Sequence, residues 1–328
     1  MSDPLVGIEA IREAAARLRG VAVRTPLVVF SAGPPRILLK AESLQPTGAF
    51  KIRGAYNAIA QLTATERRRG VVTHSSGNHA QGVARAARLL GTSAVVVMPS
   101  DAPSVKRARV EADGAEVVTV GVESGAREVM AQRLVEERGL VLVPPYDHDR
   151  IIAGQGTCGL EIAEDVQDLA LVLVPIGGGG LASGVAAAVK ALRPGARVMG
   201  VEPELAADAA ESLREDRIVR WDGALTARTI ADGARTQAIG RRPFEHLSRL
   251  LDGVITVTEA EIAAAVRLAA EESRLVVEPS GALSIAAVRF RAHELDLAAL
   301  DGVVVAVVSG GNVDPAQYRE LLTSPVPN

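Results

Sequence analysis

Lysine is nearly missing from this chain. Its 328 residues carry 36 lysines and arginines, and only four of these are lysine: Lys40, Lys51, Lys106 and Lys190. The single cysteine, Cys158, excludes an intrachain disulfide and any thiolate metal cluster. Aromatic residues are 2% of the chain, so its core must be built from Ala, Val and Leu. No apolar run reaches membrane-spanning length. The formal charge of −3 makes no electrostatic case for nucleic acid or a membrane surface as partner. The opening stretch "MSDPLVGIEAIREAAARLRG" reads as an amphipathic helix, with Asp3-Pro4 in helix-start positions, and not as a signal peptide. A cytoplasmic globular protein is expected.

What is present is a recurrence of short apolar runs. They are "RILLKAE" (36–42), "GVVTHSS" (70–76), "TSAVVVMP" (92–99), "AEVVTVG" (115–121), "LVLVPPY" (140–146), "LALVLVPIG" (169–177), "ARVMGVEP" (196–203), "GVITVTE" (253–259) and "VVVAVVSGG" (303–311). Helix-like stretches such as "AQGVARAARLLG" lie between them. Strands apolar on both faces that alternate with helices predict an α/β fold of mainly parallel sheets covered on both sides. So many strands call for two sheets. Polar motifs follow the carboxyl ends of at least four runs, the edge at which open α/β sheets bind ligands.

Four motifs carry chemistry. In "VPIGGGGLASGVAAAVKAL" a strand runs into Gly177, Gly178, Gly179 and Gly180, and a helix begins near Leu181. Backbone N–H groups of such a loop, with the helix N-terminus behind them, form a phosphate cradle. The same stretch matches a dinucleotide fingerprint at Gly177, Gly179 and Ala182, with Glu202 twenty residues further on. Lys51, in "PTGAFKIRGAYNAI", weighs against that alternative. An amine that forms a Schiff base must be lysine, because guanidinium stays protonated. "THSSGNHAQG" packs Ser75, Ser76, Gly77, Asn78 and His79 into a turn entering a helix, which suits a carboxylate or serves as an N-cap cluster. In "VVSGGN", Ser309 at a strand end either pairs with a ring nitrogen or caps a turn.

Together these elements match a family. The chain resembles the pyridoxal-phosphate enzymes of the tryptophan-synthase-β type, in the branch of serine/threonine dehydratases and serine racemases. The likeness runs from "ESLQPTGAFKIRGA" through "SSGNHAQG", "IAGQGT", "PIGGGGL", "GVEPE" and "ADG" to "VEPSGA" and "VSGGN". It implies that Lys51 holds pyridoxal 5′-phosphate as a Schiff base, and that Gly177 to Gly180 with Leu181 grip the phosphate. Asn78 would bond the phenolic oxygen, Ser309 would face the pyridine nitrogen and Phe50 would pack beside the ring. A substrate carboxylate would sit on the Ser75-to-His79 turn. The implied reaction is β-elimination of water from serine or threonine, giving a 2-oxo acid and ammonia. Serine racemase and threo-3-hydroxyaspartate dehydratase are the alternatives within the family.

Further details refine the likeness. Ser76, where many biosynthetic threonine dehydratases carry alanine, matches the second acid/base of racemases and 3-hydroxyaspartate dehydratases. Glu202, the Ala206 carbonyl and Asp208 match a divalent-metal site of the racemase-like members, implying a structural Mg²⁺, or Ca²⁺ or Mn²⁺ in its place. Tyr146 replaces the asparagine of racemases and the phenylalanine of dehydratases, which tilts the expectation towards dehydration. Arg127 aligns with a substrate-proximal arginine. The expected layout is a large domain of 1–46 plus 147–328 and a small domain of 47–146, with the cofactor between them. A homodimer acting on a small amino acid is expected.

Overall fold

The computed structural model describes residues 4–75, 77–100, 102, 104–121 and 125–327. The chain opens with α1 (Ile8–Arg17) and the antiparallel pair β1 (Leu27–Ser31) and β2 (Ile37–Ala41). It continues through α2 (Lys51–Ala60), α3 (Ala64–Arg69), β3 (Val71–His74), α4 (Asn78–Leu89) and β4 (Ala94–Pro99). Then come α5 (Ser104–Ala112), β5 (Glu116–Val120), α6 (Ala126–Arg138) and the short β6 (Val141–Leu142). The return leg holds α7 (Asp149–Asp165), β7 (Leu169–Pro175), α8 (Gly180–Leu192), β8 (Arg197–Pro203), α9 (Asp208–Arg214) and α10 (Gly223–Thr226). It closes with α11 (Arg241–Leu250), β9 (Gly253–Val257), α12 (Glu259–Ser273), α13 (Pro279–Phe290), β10 (Val303–Val308) and α14 (Pro315–Leu321).

Two sheets result. The larger has strand order β1-β2-β10-β7-β8-β9 and is parallel except at β1. The smaller has order β5-β4-β3-β6 and is parallel throughout. Alternation along the large-sheet strands divides their side chains between two apolar layers. Leu39, Leu171, Leu173, Val304 and Ala306 join α12 and α13 on one face. Leu38, Val172, Val174, Val303 and Val305 join α7 and α8 on the other. Burial of all of β10 and of all but Ala170 in β7 explains why these segments carry no polar residue within the run.

Small residues let the helices beneath the site approach closely. A Cβ added to Gly154 of α7 would lie 2.6 Å from the Arg53 carbonyl oxygen and 2.6 Å from Gly54 Cα, so α2 rests on α7 almost backbone to backbone. A closed set of charges locks this crossing. Arg53, 1% exposed, donates to Glu42 (2.7 and 2.8 Å) and to Glu161 (2.7 and 2.9 Å), while Lys40 reaches Glu161 at 2.6 Å. Two cations facing two carboxylates leave no net charge to bury, so the pairing offsets desolvation that an isolated ion could not bear.

A candidate active site at the sheet edges

Lys51 is the first residue of α2, and its side chain reaches the segment that follows β6. Lys40, Lys106 and Lys190 are paired with Glu161, Asp232 and Asp252. Among the described residues, Lys51 is the lysine with no carboxylate partner; its Nζ donates instead to the Pro145 carbonyl oxygen at 2.8 Å. The Phe50 ring centroid lies 5.0 Å from Nζ. Burial, which disfavours the charged form, pushes the amine down to about 8. A lysine in this state supplies the neutral amine that nucleophilic and basic roles both require.

Backbone bonds draw distant strand ends to this lysine. Phe50 N donates to Ser309 O at 3.1 Å, and Gly311 N donates to Gly48 O at 2.9 Å. They fix the start of α2 against the carboxyl end of β10. Ser309 is 5% exposed and its hydroxyl donates to Ser280 O at 3.3 Å, leaving the oxygen lone pairs available.

The glycine loop follows β7. Gly177 to Gly179 lead from β7 into α8, with Gly179 in the left-handed region at φ +88°. A Cβ on Gly178 would fall within the Tyr146 ring, so that ring stacks directly on the loop backbone. Gly180 and the buried Leu181 begin α8, whose free N–H groups and dipole favour an anion. Side chains on Gly177, Gly178 and Gly179 would collide with Gly233, Tyr146 and Pro243, so only glycine fits here, and a loop of backbone N–H groups leading into a helix N-terminus suits a phosphate.

The "SSGNH" segment enters α4 as expected. Ser75 Oγ accepts from Gly77 N at 3.3 Å, and Asn78 opens the helix. Ser76 lies outside the described residues. Asn78 Nδ2 donates to Glu278 Oε1 at 2.6 Å, and its Oδ1 accepts from Asn312 Nδ2 at 2.8 Å. One Nδ2 hydrogen remains for a ligand. The His79 side chain points elsewhere: it is 2% exposed, and Nε2 meets the Val143 carbonyl oxygen at 3.1 Å. Burial holds it down to about 3, so the ring is neutral and Nε2–H is the donor. The backbone of the turn therefore remains the candidate carboxylate site.

Sequence reasoning passed over three participants. Glu278, buried and pushed up to about 7 by desolvation, sits just before Pro279 in the "VEPSGA" stretch. Its run of family residues was the available signal. Asn312 follows the glycines after β10 and bridges Asn78 to the Thr47 carbonyl. Pro145 contributes only a carbonyl oxygen, a role with no side-chain signature.

Glu202 and Asp208 meet at the end of β8. Both are fully buried, and Glu202 accepts from Ala209 N at 3.0 Å and Ala210 N at 2.7 Å, bracing the first turn of α9. Burial and the Asp208 charge raise Glu202 well above the usual carboxylate range; burial raises Asp208 to about 7. Asp208 Oδ2 has no hydrogen-bond partner. Among the described residues no group of three or more His, Cys, Asp or Glu side chains is arranged for a metal. Two buried carboxylates with an orphaned oxygen, beside the buried Ala206, fit a hard cation but do not by themselves establish one.

The chain is similar to known proteins along most of its length. The family model described as "Pyridoxal-phosphate dependent enzyme" matches residues 19–310. The serine racemase of Schizosaccharomyces pombe is 40% identical over 98% of this chain and 100% of its own. The L-threo-3-hydroxyaspartate ammonia-lyase of Saccharomyces cerevisiae is 41% identical over 88% of this chain and 86% of its own. A crystal structure of maize serine racemase superposes with a TM-score of 0.90 at 38% identity, covering 97% of this chain and 97% of that one.

Proposed function

The chain belongs to the pyridoxal-phosphate-dependent enzymes, in the tryptophan-synthase-β-like family of serine/threonine dehydratases and serine racemases, and from that membership we propose that it acts on a small polar hydroxy amino acid, L-serine or L-threo-3-hydroxyaspartate. The reactions we assign are loss of water to a 2-oxo acid and ammonia, and interconversion of serine enantiomers in the same site. Threonine, first in the sequence expectation beside serine, takes second place. The relatives that span most of this chain include a racemase and a hydroxyaspartate lyase.

The observation that carries the reading is the Lys51 amine, pushed down to about 8 by burial and anchored on the Pro145 carbonyl. The residues fit pyridoxal phosphate: Lys51 would attach it, the Gly177-to-Gly180 loop and Leu181 would hold its phosphate, and Asn78 and Ser309 would meet its ring. Bound there, the cofactor supplies the electron sink that makes the substrate Cα–H acidic. Lys51 then takes that proton, because its depressed proton affinity leaves a free base near neutral pH. The backbone of Ser75, Gly77, Asn78 and His79 orients the substrate carboxylate. The expelled hydroxyl leaves as water, and the released enamine hydrolyses to the oxo acid and ammonia. Ser309 offers a neutral hydroxyl to the ring nitrogen, a weaker partner than a carboxylate, which favours prompt elimination. Ser76 is the assigned second acid/base for racemisation, on the strength of the family likeness alone.

At the end of β3, burial lowers the proton affinity of His74, with Glu128 opposing that shift and Arg127 reinforcing it. We also assign a structural divalent cation to Glu202, Asp208 and the Ala206 carbonyl, and a homodimer as the assembly.

Incubation with Mg²⁺ and, separately, L-serine, L-threo-3-hydroxyaspartate and L-threonine tests the assignment. Oxo acid from hydroxyaspartate, or D-serine from L-serine, outpacing oxo acid from threonine is the expected result; dominant turnover of threonine would reverse the order. Lys51→Ala abolishes every reaction, and residual turnover above background would remove Lys51 from the chemistry.

A further inference from the structure

Most of the segment between β6 and α7 is a five-residue strap, of which the sequence drew attention to Tyr146 alone. It runs from Val143 through Pro144, Pro145 and Tyr146 to Asp147. Its two prolines have fixed φ and no N–H, so neighbours can hold its middle only through carbonyls and side chains. Both ends are pinned. Asp147 accepts from Arg241 N at 3.0 Å and Arg242 N at 2.8 Å, capping α11. The Val143 carbonyl oxygen accepts two side-chain donors, Thr73 Oγ1 at 2.8 Å and His79 Nε2 at 3.1 Å. Between the pins, Pro145 O receives the Lys51 amine and the Tyr146 ring covers the glycine loop.

We propose that Thr73 and His79 are positioning residues for Lys51, acting through this strap: they fix the Val143 carbonyl, and the stiff Pro144-Pro145 pair passes that register to the carbonyl that holds the amine. The inference rests on the reading of Lys51 as the working amine. It gives a purpose to an otherwise unaccounted imidazole. His79 is almost wholly buried and its Nδ1 has no partner, so the ring is present for the single bond from Nε2. Thr73, on β3, is fully buried and supplies the second donor. A carbonyl oxygen with both lone pairs satisfied from two different elements cannot slide along either one without breaking a buried hydrogen bond. The strap thus ties β3 and α4 to the position of Lys51 Nζ, and through Tyr146 to the anion cradle.

The test uses the full-length chain stripped of cofactor. Lysine labelling by a small acylating reagent is followed against pH by mass spectrometry of the Lys51 peptide. His79 is the titratable group that feels the Lys51 charge, His74 acts on His79 in turn, both are held towards the neutral form by burial, and burial lowers Lys51 itself. In the unaltered protein the Lys51 midpoint lies at about 8. In Thr73→Val/His79→Phe the strap loosens, water reaches the amine and the midpoint rises by about one unit. In the cofactor-loaded enzyme the same pair lowers kcat ~10-fold with little change in KM, since the reacting group is misplaced while the substrate turn is kept. Restoring a donor with His79→Gln in the Thr73→Val background returns both values most of the way. A midpoint that stays at its original pH while only the melting temperature falls overturns the proposal, whatever the enzyme's substrate proves to be. Should the double variant fail to fold, Thr73→Val against Thr73→Ser makes the same comparison, since serine keeps the hydroxyl. Failure of the functional reading is distinguishable: it appears as turnover by Lys51→Ala, with the labelling result unaffected.

Discussion

Glu278 shows how a single buried acid makes the site sensitive to pH. Desolvation raises its carboxyl to about 7, with the charge of Asp232 adding to the effect, although the Asn78 amide opposes the shift. The folded chain therefore binds a proton that the unfolded chain releases near its ordinary value of 4.5. Because the folded-state value is raised, the stabilisation is complete below the ordinary value and is lost as pH rises through the folded one. Glu278→Gln keeps an oxygen for Asn78 and removes the titration. The cofactor-free variant should melt close to the unaltered protein at pH 4.5 and gain on it up to pH 7 and beyond, by as much as about 3 kcal/mol. Parallel melting curves across that range would show that the carboxyl is ionised without penalty. Lys51 itself was legible from sequence because scarcity isolates it: one of four lysines, it stands in a chain that otherwise uses arginine. Glu278 was not, since an acid before a proline reads as an ordinary helix start.

Among elements, the crossing of α2 on α7 sets where Lys51 begins. The close approach depends on Gly154, whose place no methyl group could share with the facing backbone of Arg53 and Gly54, while a methyl on Gly54 would meet the Gln155 side chain. Gly154→Ala should push α2 outward, cost about 1–3 kcal/mol in a denaturant titration and weaken the visible absorbance of the cofactor-loaded protein. A variant with unchanged stability and colour would mean that the helices part without disturbing the lysine. Most elements were plain in the sequence. Every apolar run named at the outset contains a strand, and in the central strands such as β4, β7 and β10 near-complete burial on both faces demands an unbroken run. β1 escaped notice because its side chains are only part-buried on an antiparallel edge. The run at 140–146 shrank to a two-residue strand because Pro144 and Pro145 cannot donate to a ladder. The strap that replaced it has a function in backbone carbonyls, which sequence patterns do not display.

Over the whole molecule, polar side chains tie the layers of the two sheets together. Lys106 of α5 reaches Asp232 at 2.7 Å, and Arg109 reaches Asn312 at 2.8 Å, each joining the small-sheet layer to the large. The paired carboxylates at Glu202 and Asp208 lie at the outer end of the large sheet, where a bound cation would brace β8 against α9. Adding Mg²⁺ or Ca²⁺ to chelator-treated protein should raise its melting temperature by several degrees, and Asp208→Asn should remove that response. Equal melting with and without the ion would leave Glu202 as a helix brace and nothing more. No helix among the described residues is long and apolar enough to cross a membrane.

The strand order carries one more consequence. β10, close to the end of the chain, lies between β2, close to its start, and β7. As the polypeptide leaves the ribosome, the β1–β2 hairpin has no neighbour on its inner edge until residues 303–308 emerge. Synthesis halted shortly before that point would yield two separated pieces of sheet, each exposing an unpaired parallel edge. Such a product, lacking Ser309 and the backbone tie to Phe50, would be colourless with added cofactor and prone to aggregate, so only completed chains can carry the colour.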